Sequence, residues 1–255
     1  MQRYSRQILI KKIGIDGQKK LLQSKVAVVG CGGLGSTVVP MLAAAGIGEL
    51  ILFDNDTVSI SNLNRQVMFK ESDIDKKKSI LTKDFVLNLN SQVTVKDYSQ
   101  RITPNNYLDL LKDVDLVIDC TDGLTTKFFL NDCCLDIGIP LIHSAVTAFE
   151  VQLLFIKKAG NPCLRCYFEV LPRNVKSCNQ TGILGATCSI AGGLVATEAI
   201  KFLTGMKNIR GLLKIDNEQN IYNLFNVPEN EKCIACGLSP TIDPTDQNLY
   251  VLREC

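Results

Sequence analysis

Glycines in the segment GCGGLG could bring the polypeptide backbone close to a phosphate group. After the apolar run VAVV, Gly30 suits a tight turn, while Gly32 and Gly33 leave room for a phosphate beside the backbone. Gly35 lets the next helix pack closely on the strand, and that helix directs free N–H groups towards an anion. Asp54 ends the next apolar run, where it could accept hydrogen bonds from ribose hydroxyls. The pattern predicts a nucleotide site; the alternative is a tight turn that binds nothing.

A second group of polar and charged residues bears on which nucleotide is bound. Ser61, Asn62 and Arg65 follow shortly after the predicted ribose contact, and Lys78 closes a run of three lysines. A hydride-transferring enzyme has little need for this cationic layer, whereas an enzyme that cleaves a triphosphate must stabilise several negative charges. Asp122 follows the apolar run DLVIDC, at the sheet edge where ligands bind, and its carboxylate could hold Mg²⁺. These residues favour ATP over a nicotinamide cofactor, although each cation taken alone could be a solvated surface residue.

Four of the eleven cysteines have the spacing of metal ligands, in two CxxC pairs. Tetrahedral coordination by four thiolates is typical of structural zinc and leaves no open position for a substrate. The pairs are far apart in sequence, so the metal would join two distant segments. Redox-active dithiols are the alternative, but the sequence around the pairs lacks the strand and helix that flank such motifs. The predicted zinc ligands are Cys163, Cys166, Cys233 and Cys236.

Cys178 differs from these cysteines because it lies in a polar segment, KSCNQTG. Its cationic neighbours Arg173 and Lys176 favour the reactive thiolate form. A functional nucleophile and a free surface thiol are the two readings, and the residues alone do not decide between them. The single histidine, His143, lies in the apolar run IPLIHSA and is expected to be structural rather than catalytic.

Composition and charge exclude several classes of protein. Apolar residues make up 46% of the 255 residues, which excludes a disordered chain. The net charge of +2 gives no general attraction to nucleic acid or to anionic membranes. The N-terminus lacks the apolar core of a signal peptide, and the longest uncharged stretch is too polar to span a membrane. We therefore expect a cytoplasmic protein with neither nucleic acid nor a membrane as partner.

The predicted nucleotide residues need a parallel sheet to bring them together. Up to about residue 148, apolar runs typical of buried parallel strands alternate with helical patterns, which predicts a doubly wound, Rossmann-like sheet. The predicted strands are 26–30, 49–54, 92–98, 115–120 and 139–145, and the predicted helices lie near 34–45, 76–89, 104–112 and 125–137.

The rest of the chain has a different pattern. Strands predicted at 151–158, 211–217 and 220–227 are antiparallel, with a helix near 189–204 and an irregular connection at 161–185. The expected fold is therefore α/β, with a mostly parallel sheet that is continued by antiparallel strands and a CxxC/CxxC zinc clip.

Several motifs, in the same order, resemble the ThiF/MoeB/HesA family, the bacterial relatives of ubiquitin-activating enzymes. The resemblance runs from about Gln2 to Gly237 and rests on RYSRQI, GCGGLG, DNDTVSISNLNRQ, Lys78, DCTD, the CxxC pairs and KSCNQTG. It implies a single adenylation domain over residues 1–237, with a nucleotide-binding half at about 1–148 and a carrier-binding and dimer half at about 149–237. Residues 238–255 are expected to form a flexible tail.

The resemblance implies an enzyme, an ATP-dependent adenylyltransferase that acts on a small ubiquitin-like sulfur carrier ending in Gly-Gly. The terminal carboxylate of the carrier would attack the α-phosphorus, release pyrophosphate and form an acyl-adenylate, without need of a general base. The family pattern also implies a homodimer in which Arg6 reaches into the partner's site. The residues expected to bind ATP and Mg²⁺ are Gly30, Gly32, Gly33, Asp54, Ser61, Asn62, Arg65, Lys78 and Asp122. The expected catalytic residues are Arg6, Arg65, Lys78, Asp122 and Cys178.

The carrier itself stays open at this stage. VMFKESDID and the loop around Cys178 lean towards the thiamin branch, in which the cysteine forms an acyl-disulfide with a ThiS-like carrier; a MoaD-like carrier for molybdopterin synthesis is the alternative. Because the chain ends soon after Cys236, sulfur is expected from a separate sulfurtransferase or cysteine desulfurase. Gly123 stands where the family usually has Asn, which puts a contact from that position in doubt. A NAD-dependent oxidoreductase and a non-catalytic carrier-binding module are the alternatives from other classes.

Overall fold

The structure is a computed structural model that describes residues 1–157, 162–171, 181–226, 228 and 230–250. Cys178, Arg173 and Lys176 lie outside the described residues. The strands are β1 (Lys25–Val29), β2 (Glu49–Phe53), β3 (Thr94–Tyr98), β4 (Leu116–Asp119), β5 (Leu141–Thr147), β6 (Glu150–Ile156), β7 (Leu212–Asp216) and β8 (Ile221–Phe225). The α-helices are α1 (Ser5–Ile8), α2 (Gly14–Gln23), α3 (Gly35–Ala45), α4 (Lys78–Leu89), α5 (Tyr107–Leu111), α6 (Leu124–Ile137), α7 (Leu164–Tyr167) and α8 (Gly185–Leu203). Short 3₁₀ helices span Gln2–Tyr4, Ile60–Asn62, Glu71–Asp73 and Gln247–Tyr250.

The eight strands form one sheet in the order β3-β2-β1-β4-β5-β6-β7-β8. Neighbours from β3 to β5 pair in parallel, and the pairs from β5 to β8 are antiparallel. The strand order reverses between β1 and β4, and in open α/β sheets ligands bind outside the carboxyl ends of the strands at such a point. The predicted fold class is confirmed.

Helices cover both faces of the parallel part of the sheet. Val26 and Val28 of β1 belong to a core shared with α3, α4 and α8, whereas Ala27 and Val29 belong to a core on the other face, with α5 and α6. Strands buried on both faces need apolar residues at successive positions, which explains the continuous apolar runs in the sequence.

Among the described residues, one helical segment, Gly185–Thr204, is long and apolar enough to cross a membrane by length and composition alone. Its residues Cys188, Ala191, Val195 and Ala199 are buried in the core that α8 shares with the sheet. In this fold α8 is therefore a core helix.

Three regions differ in detail from the sequence-based expectations. One is the short helix α7, which lies within the connection that was expected to be irregular. The sequence analysis did not predict α2, whose buried residues Gly17, Gln18 and Leu21 include only one large apolar side chain. Helix α8 begins at Gly185, four residues before its predicted start near 189. A Cβ on Gly185 would collide with the carbonyl oxygen of Asn64, so glycine permits close packing at the first turn of the helix.

The segment from 238 to 250, part of the predicted tail, returns to α6. Tyr250 donates a hydrogen bond to Asp132 Oδ2 at 3.0 Å, and its ring centroid lies 5.1 Å from that of Phe129. The flexibility of this tail and the division of the domain into two halves remain predictions.

Candidate active site and metal centre

The glycine loop lies at the carboxyl end of β1, where the strand order reverses. Gly30 has a φ of +98°, and a Cβ there would lie 2.6 Å from the carbonyl oxygen of Cys120, next to the end of β4. A Cβ on Gly35 would collide with the carbonyl oxygen of Gly30. Glycine is therefore required at both positions, and the loop touches the backbone that follows β4.

Arg65 lies against the next part of the loop. A Cβ on Gly33 would lie 3.4 Å from Cγ and Cδ of Arg65 and 3.0 Å from Sγ of Cys188. The Arg65 guanidinium donates hydrogen bonds to the Ser61 carbonyl at 2.9 Å and to Asn64 Oδ1 at 3.0 Å. The structure thus brings a predicted phosphate ligand and a predicted glycine together.

Asp54 is fixed to the glycine loop by its own carboxylate. Oδ2 accepts a hydrogen bond from the Cys31 backbone N–H at 2.7 Å, and Oδ1 accepts one from the Asp56 N–H at 2.8 Å. Burial raises the pKa of Asp54, although these hydrogen bonds and the charge of Lys78 oppose the rise. Each carboxylate oxygen has a second lone pair, so the side chain can still accept a hydrogen bond from a ribose hydroxyl.

The predicted phosphate contacts at Ser61 and Asn62 lie in a short 3₁₀ helix after β2. Its start is fixed because the Ser59 N–H donates to Asn62 Oδ1 at 3.3 Å. Lys78 is the first residue of α4 and is buried, with Nζ 3.3 Å from Oδ2 of the exposed Asp56. The amine that is predicted to neutralise a triphosphate is therefore paired with a carboxylate in this structure.

Asp122 lies in the turn between β4 and α6 and is exposed. Gly123 is the N-cap residue of α6 with a φ of −85°, and a Cβ there would lie 3.4 Å from Thr126 Oγ1. Glycine is therefore not required by backbone conformation at this position. The exposed carboxylate suits a Mg²⁺ ligand, because it is an oxygen donor at the edge of the crevice.

A buried polar network lies directly beneath this turn. Asp119, the last residue of β4, is fully buried, and its carboxylate lies 3.2 Å from Lys127 Nζ and 2.9 Å from His143 Nδ1. Burial alone raises the pKa of Asp119, but the charge of Lys127 and the hydrogen bonds from His143 and Thr121 lower it to about 2. Burial lowers the pKa of His143, so the ring is neutral at pH 7 and donates its Nδ1–H to the carboxylate.

The four predicted zinc ligands converge on one point. Sγ of Cys163 lies 3.9 Å from that of Cys166 and 3.7 Å from that of Cys233, and the Cys166 and Cys236 Sγ atoms are 3.4 Å apart. All four sulfur atoms lie within 4.8 Å of one another. Four Zn–S bonds of ~2.3 Å in a tetrahedron place the sulfur atoms about 3.8 Å apart, so the cluster fits a structural zinc ion.

A buried ion pair fastens the segment that bears Cys163 and Cys166 to helix α6. Arg165, between two of the cysteines, donates from Nε to Asp132 Oδ1 at 2.9 Å and from Nη2 to Oδ2 at 2.6 Å. The Leu164 N–H donates to Asn131 Oδ1 at 2.8 Å. Asn131 and Asp132 belong to α6, which begins directly after the Asp122 turn. The same helix therefore supports the four-cysteine cluster.

Arg6 lies far from the glycine loop of its own chain. It is exposed on α1, whose neighbour Gln7 donates to the carbonyl of Ala45 at 3.1 Å. Ala45 is the last residue of α3, whereas Gly35 is the first, so the two ends are ~16 Å apart at 1.5 Å per residue.

Sequence reasoning missed Asp119, Lys127 and Asp132 as supports of the site. The sequence signal for Asp119 is its position at the end of β4, whose other residues are apolar. A carboxylate buried there needs a charged or hydrogen-bonding partner. Lys127 and Asp132 are buried on α6, but the sequence does not reveal which face of that helix is covered.

The chain was compared with known families, sequences and structures. The ThiF family matches residues 4–236. The chain is 36% identical over 245 residues to "Adenylyltransferase and sulfurtransferase MOCS3" of Anopheles gambiae, covering 94% of this chain and 56% of that protein. It thus spans about half the length of the MOCS3 proteins that it matches.

Two other relatives are similar in length. "Sulfur carrier protein ThiS adenylyltransferase" of Escherichia coli K12 is 35% identical over 237 residues, covering 92% of this chain and 94% of that protein. "SAMP-activating enzyme E1" of Haloferax volcanii is 38% identical over 241 residues, with 93% and 89% covered. Their names agree with the predicted class of enzyme.

The fold also matches solved structures. A crystal structure of E. coli MccB with ATP superposes with a TM-score of 0.82 at 25% identity, covering 93% of this chain and 75% of that chain. The residues matched by the ThiF family include the glycine loop, the Asp122 turn and both cysteine pairs. The chain therefore belongs to the ThiF family.

Proposed function

We propose that the protein is an ATP-dependent adenylyltransferase that activates the C-terminal glycine of a ubiquitin-like sulfur carrier. The observation that carries the proposal is the composition of the crevice between β1 and β4. Arg65 lies against Gly33 on one side of the glycine loop, and the turn that bears Asp122 touches Gly30 on the other. The phosphates of ATP and the proposed Mg²⁺ ligand Asp122 would thus lie beside the same glycine loop.

The reaction needs charge stabilisation more than proton transfer. The carboxylate of the carrier attacks the α-phosphorus of ATP, the bond to the bridging oxygen breaks, and pyrophosphate leaves. Arg65 and Lys78 offset the negative charge of the phosphates, and Asp54 orients the ribose. Mg²⁺, held by Asp122, would supply further positive charge at the phosphate oxygens. The nucleophile is already ionised at neutral pH, so no general base is required.

For ATP to be bound productively, Lys78 must exchange partners. Its ion pair with Asp56 is made to a carboxylate whose side chain is 60% exposed, so the pairing is weak in free energy. A triphosphate carries more negative charge and would replace Asp56 at the amine.

The carrier is proposed to dock on the antiparallel end of the sheet. In the described part of the chain, β8 is the last strand, and it exposes the apolar side chains Ile221, Tyr222, Leu224 and Phe225. Apolar surface of this kind marks interaction sites. The name of the E. coli relative supports a sulfur carrier as substrate. On the sequence around residues 67–75 and Cys178, we propose a ThiS-like carrier, with a MoaD-like carrier as the alternative.

A substitution on β8 tests this docking surface. Tyr222→Glu places a charge on the exposed strand, and we expect a higher KM for the carrier with an unchanged KM for ATP. Leu238→Glu is the matched control, because Leu238 is 81% exposed outside the sheet. Equal effects of the two substitutions would exclude β8 as the docking surface.

We propose that the enzyme acts as a homodimer in which Arg6 completes the partner's site. Arg6 lies at the opposite end of α3 from its own glycine loop, so it can serve a site only in another copy. Leu9, Ile10 and Ile15 near Arg6 are each more than half exposed, as are Ile60 and Val67 near the site. A symmetric dimer that joins these two apolar surfaces would bury both.

Mixing two inactive variants tests the role of Arg6. Arg6→Ala and Asp122→Ala should each abolish adenylation. After subunit exchange, half of the dimers are mixed and contain one competent site, so about a quarter of wild-type activity returns. If Arg6 acted within its own chain, mixing would restore none.

The four-cysteine cluster is proposed to hold structural Zn²⁺. Thiolates fill all four coordination positions, so the metal would stabilise the fold without contacting substrate. Cys178 is proposed to accept a sulfane sulfur from the persulfide of a separate sulfurtransferase or cysteine desulfurase. The terminal sulfur of the resulting Cys178 persulfide would attack the acyl-adenylate of the carrier, releasing AMP and leaving an acyl-disulfide. Cys178→Ser should therefore retain pyrophosphate exchange and lose the disulfide-linked adduct seen by mass spectrometry.

Pyrophosphate exchange into ATP is the test of the proposed function. We expect exchange that depends on a carrier ending in Gly-Gly, and its loss in Asp122→Ala with an unchanged melting temperature. Asp109→Ala, which removes another exposed carboxylate, from α5, should retain exchange. Tight NADH binding together with indifference to MgATP in calorimetry would indicate an oxidoreductase instead. MgATP binding without exchange for any ThiS-like or MoaD-like carrier would indicate a binding module.

A further inference from the structure

The Asp122 turn is fixed from below by a network whose central residues, Asp119, Lys127 and His143, are buried. Asp119 Oδ1 accepts hydrogen bonds from the Thr121 backbone N–H at 3.0 Å and from Thr121 Oγ1 at 2.7 Å. Both bonds are local, and together they set the direction in which the chain leaves β4. The residue whose position this determines is Asp122, which follows directly.

Lys127 and His143 hold the other side of the Asp119 carboxylate. Lys127 Nζ also donates to the carbonyl of Ser144 at 2.6 Å, and Ser144 Oγ donates to the Asp119 carbonyl at 3.3 Å. The network thus joins the end of β4, the first turns of α6 and the middle of β5. These three elements surround the Asp122 turn.

The charge balance of the network explains why Lys127 is needed. Asp119 and Lys127 are both at most 5% exposed, and the neutral His143 contributes no compensating charge. A buried carboxylate without a cation would take up a proton or draw in water, and either change would alter its bonds to Thr121.

We infer that Asp119, Lys127 and His143 form a positioning network that holds the Asp122 turn against the glycine loop in the geometry needed to bind Mg²⁺ and ATP. This inference rests on the proposed function, because it assumes the role of Asp122. None of the three residues touches the nucleotide; they act through the turn. The contact between the carbonyl of Cys120 and Gly30 transmits the position of the turn to the phosphate-binding loop.

Lys127→Met tests the inference, because methionine keeps an unbranched side chain and removes the charge. We expect kcat for pyrophosphate exchange to fall on the order of 10²-fold, as for a catalytic group displaced by about 1 Å. The Mg²⁺ concentration for half-maximal nucleotide binding in calorimetry should rise at least about ten-fold, while ATP binding in EDTA stays unchanged. Lys127→Arg should restore most of both properties.

Two further variants separate positioning from stability. Lys201→Met removes a lysine that pairs with the buried Glu198 on α8, ~24 Å along that helix from Gly185, and should change neither kcat nor the Mg²⁺ requirement. The double variant Asp119→Asn/Lys127→Met removes both buried charges, so no unpaired charge remains to unfold the protein. It should fold and still bind Mg²⁺ poorly.

The outcomes distinguish the inference from the proposed function. If Lys127→Met lowers the melting temperature but leaves kcat and the Mg²⁺ dependence unchanged, the network is merely structural and the inference is overturned. If nucleotide binding to the wild-type protein does not depend on Mg²⁺ and no carrier supports exchange, the proposed function fails first, and the positioning role fails with it.

Discussion

The ion pair between Arg165 and Asp132 is buried, and its burial determines how much stability should be lost when the pair is broken. Asp132 is fully buried, and its carboxylate accepts hydrogen bonds from Arg165, Asn131 and Tyr250. Replacing Arg165 with Leu leaves this carboxylate buried without a cation. Breaking a buried pair from one side costs about 3–5 kcal/mol, so we expect a loss of that size in the free energy of unfolding.

The stability loss is measured by urea denaturation of the zinc-loaded protein. At roughly 2–4 °C per kcal/mol for a domain of this size, the melting temperature should fall by about 6–20 °C. Zinc release to a chromogenic chelator should also be faster, because Arg165 lies between two cysteine ligands. Lys83→Met, which breaks a partly exposed pair with Asp97, is the control and should leave the melting temperature nearly unchanged.

A double variant decides whether the loss arises from the unpaired charge. Arg165→Leu/Asp132→Asn removes both charges, so most of the stability should return. The reasoning is refuted if Arg165→Leu costs less than about 1 kcal/mol, since a desolvated carboxylate could not then be present. It is also refuted if the double variant is as unstable as the single one.

Three further predictions concern metal, helix capping and pH. We expect about one zinc ion per chain in the wild-type protein, and Cys236→Ser should lose it and melt at lower temperature, as measured by metal analysis and calorimetry; retained zinc would contradict a four-thiolate site. Gly123→Asn should raise the free energy of unfolding by about a few tenths of a kcal/mol, because Asn is a favourable N-cap for α6 and its Cβ would meet atoms of Thr126 at 3.4 Å or more; a lower melting temperature would contradict this. Asp119 has a lowered pKa, so its contribution to stability is present above pH 4 and is lost as the pH falls towards about 2. Between those values the wild-type protein should lose more stability than Asp119→Asn/Lys127→Met, and parallel denaturation curves would refute the assignment.

The parallel half of the fold could be predicted because its local signals agree with one another. In β1, apolar residues at consecutive positions indicate a strand buried on both faces, and the glycines that follow mark the turn into α3. Helix α2 could not be predicted in the same way. Gln18 lies on its buried face and donates to the carbonyl of Ala45, a partner that is 27 residues away in sequence. Only the tertiary structure reveals why a polar residue is buried there.

The same distinction applies to the candidate site. The cysteine pairs could be predicted because their type and spacing are sufficient to indicate a metal, whatever the fold between them. The support of the Asp122 turn could not, since it depends on the pairing of β4 with β5, which places Asp119 opposite His143. Arg165 lies inside a CxxC pair, but its partner Asp132 is recognisable only when α6 packs beside it.

The sheet order explains why residues from distant segments form one crevice, and why one residue does not join them. Adjacent parallel strands lie ~4.8 Å apart, so the loops after β2, β1 and β4 are neighbours at one edge and bring Asp54, the glycine loop and Asp122 together. Arg6 precedes β1 and packs at the far end of α3, beyond the reach of that edge. If Arg6 acts as we propose, a second copy must supply its guanidinium to the site, and dimer formation would then be part of catalysis.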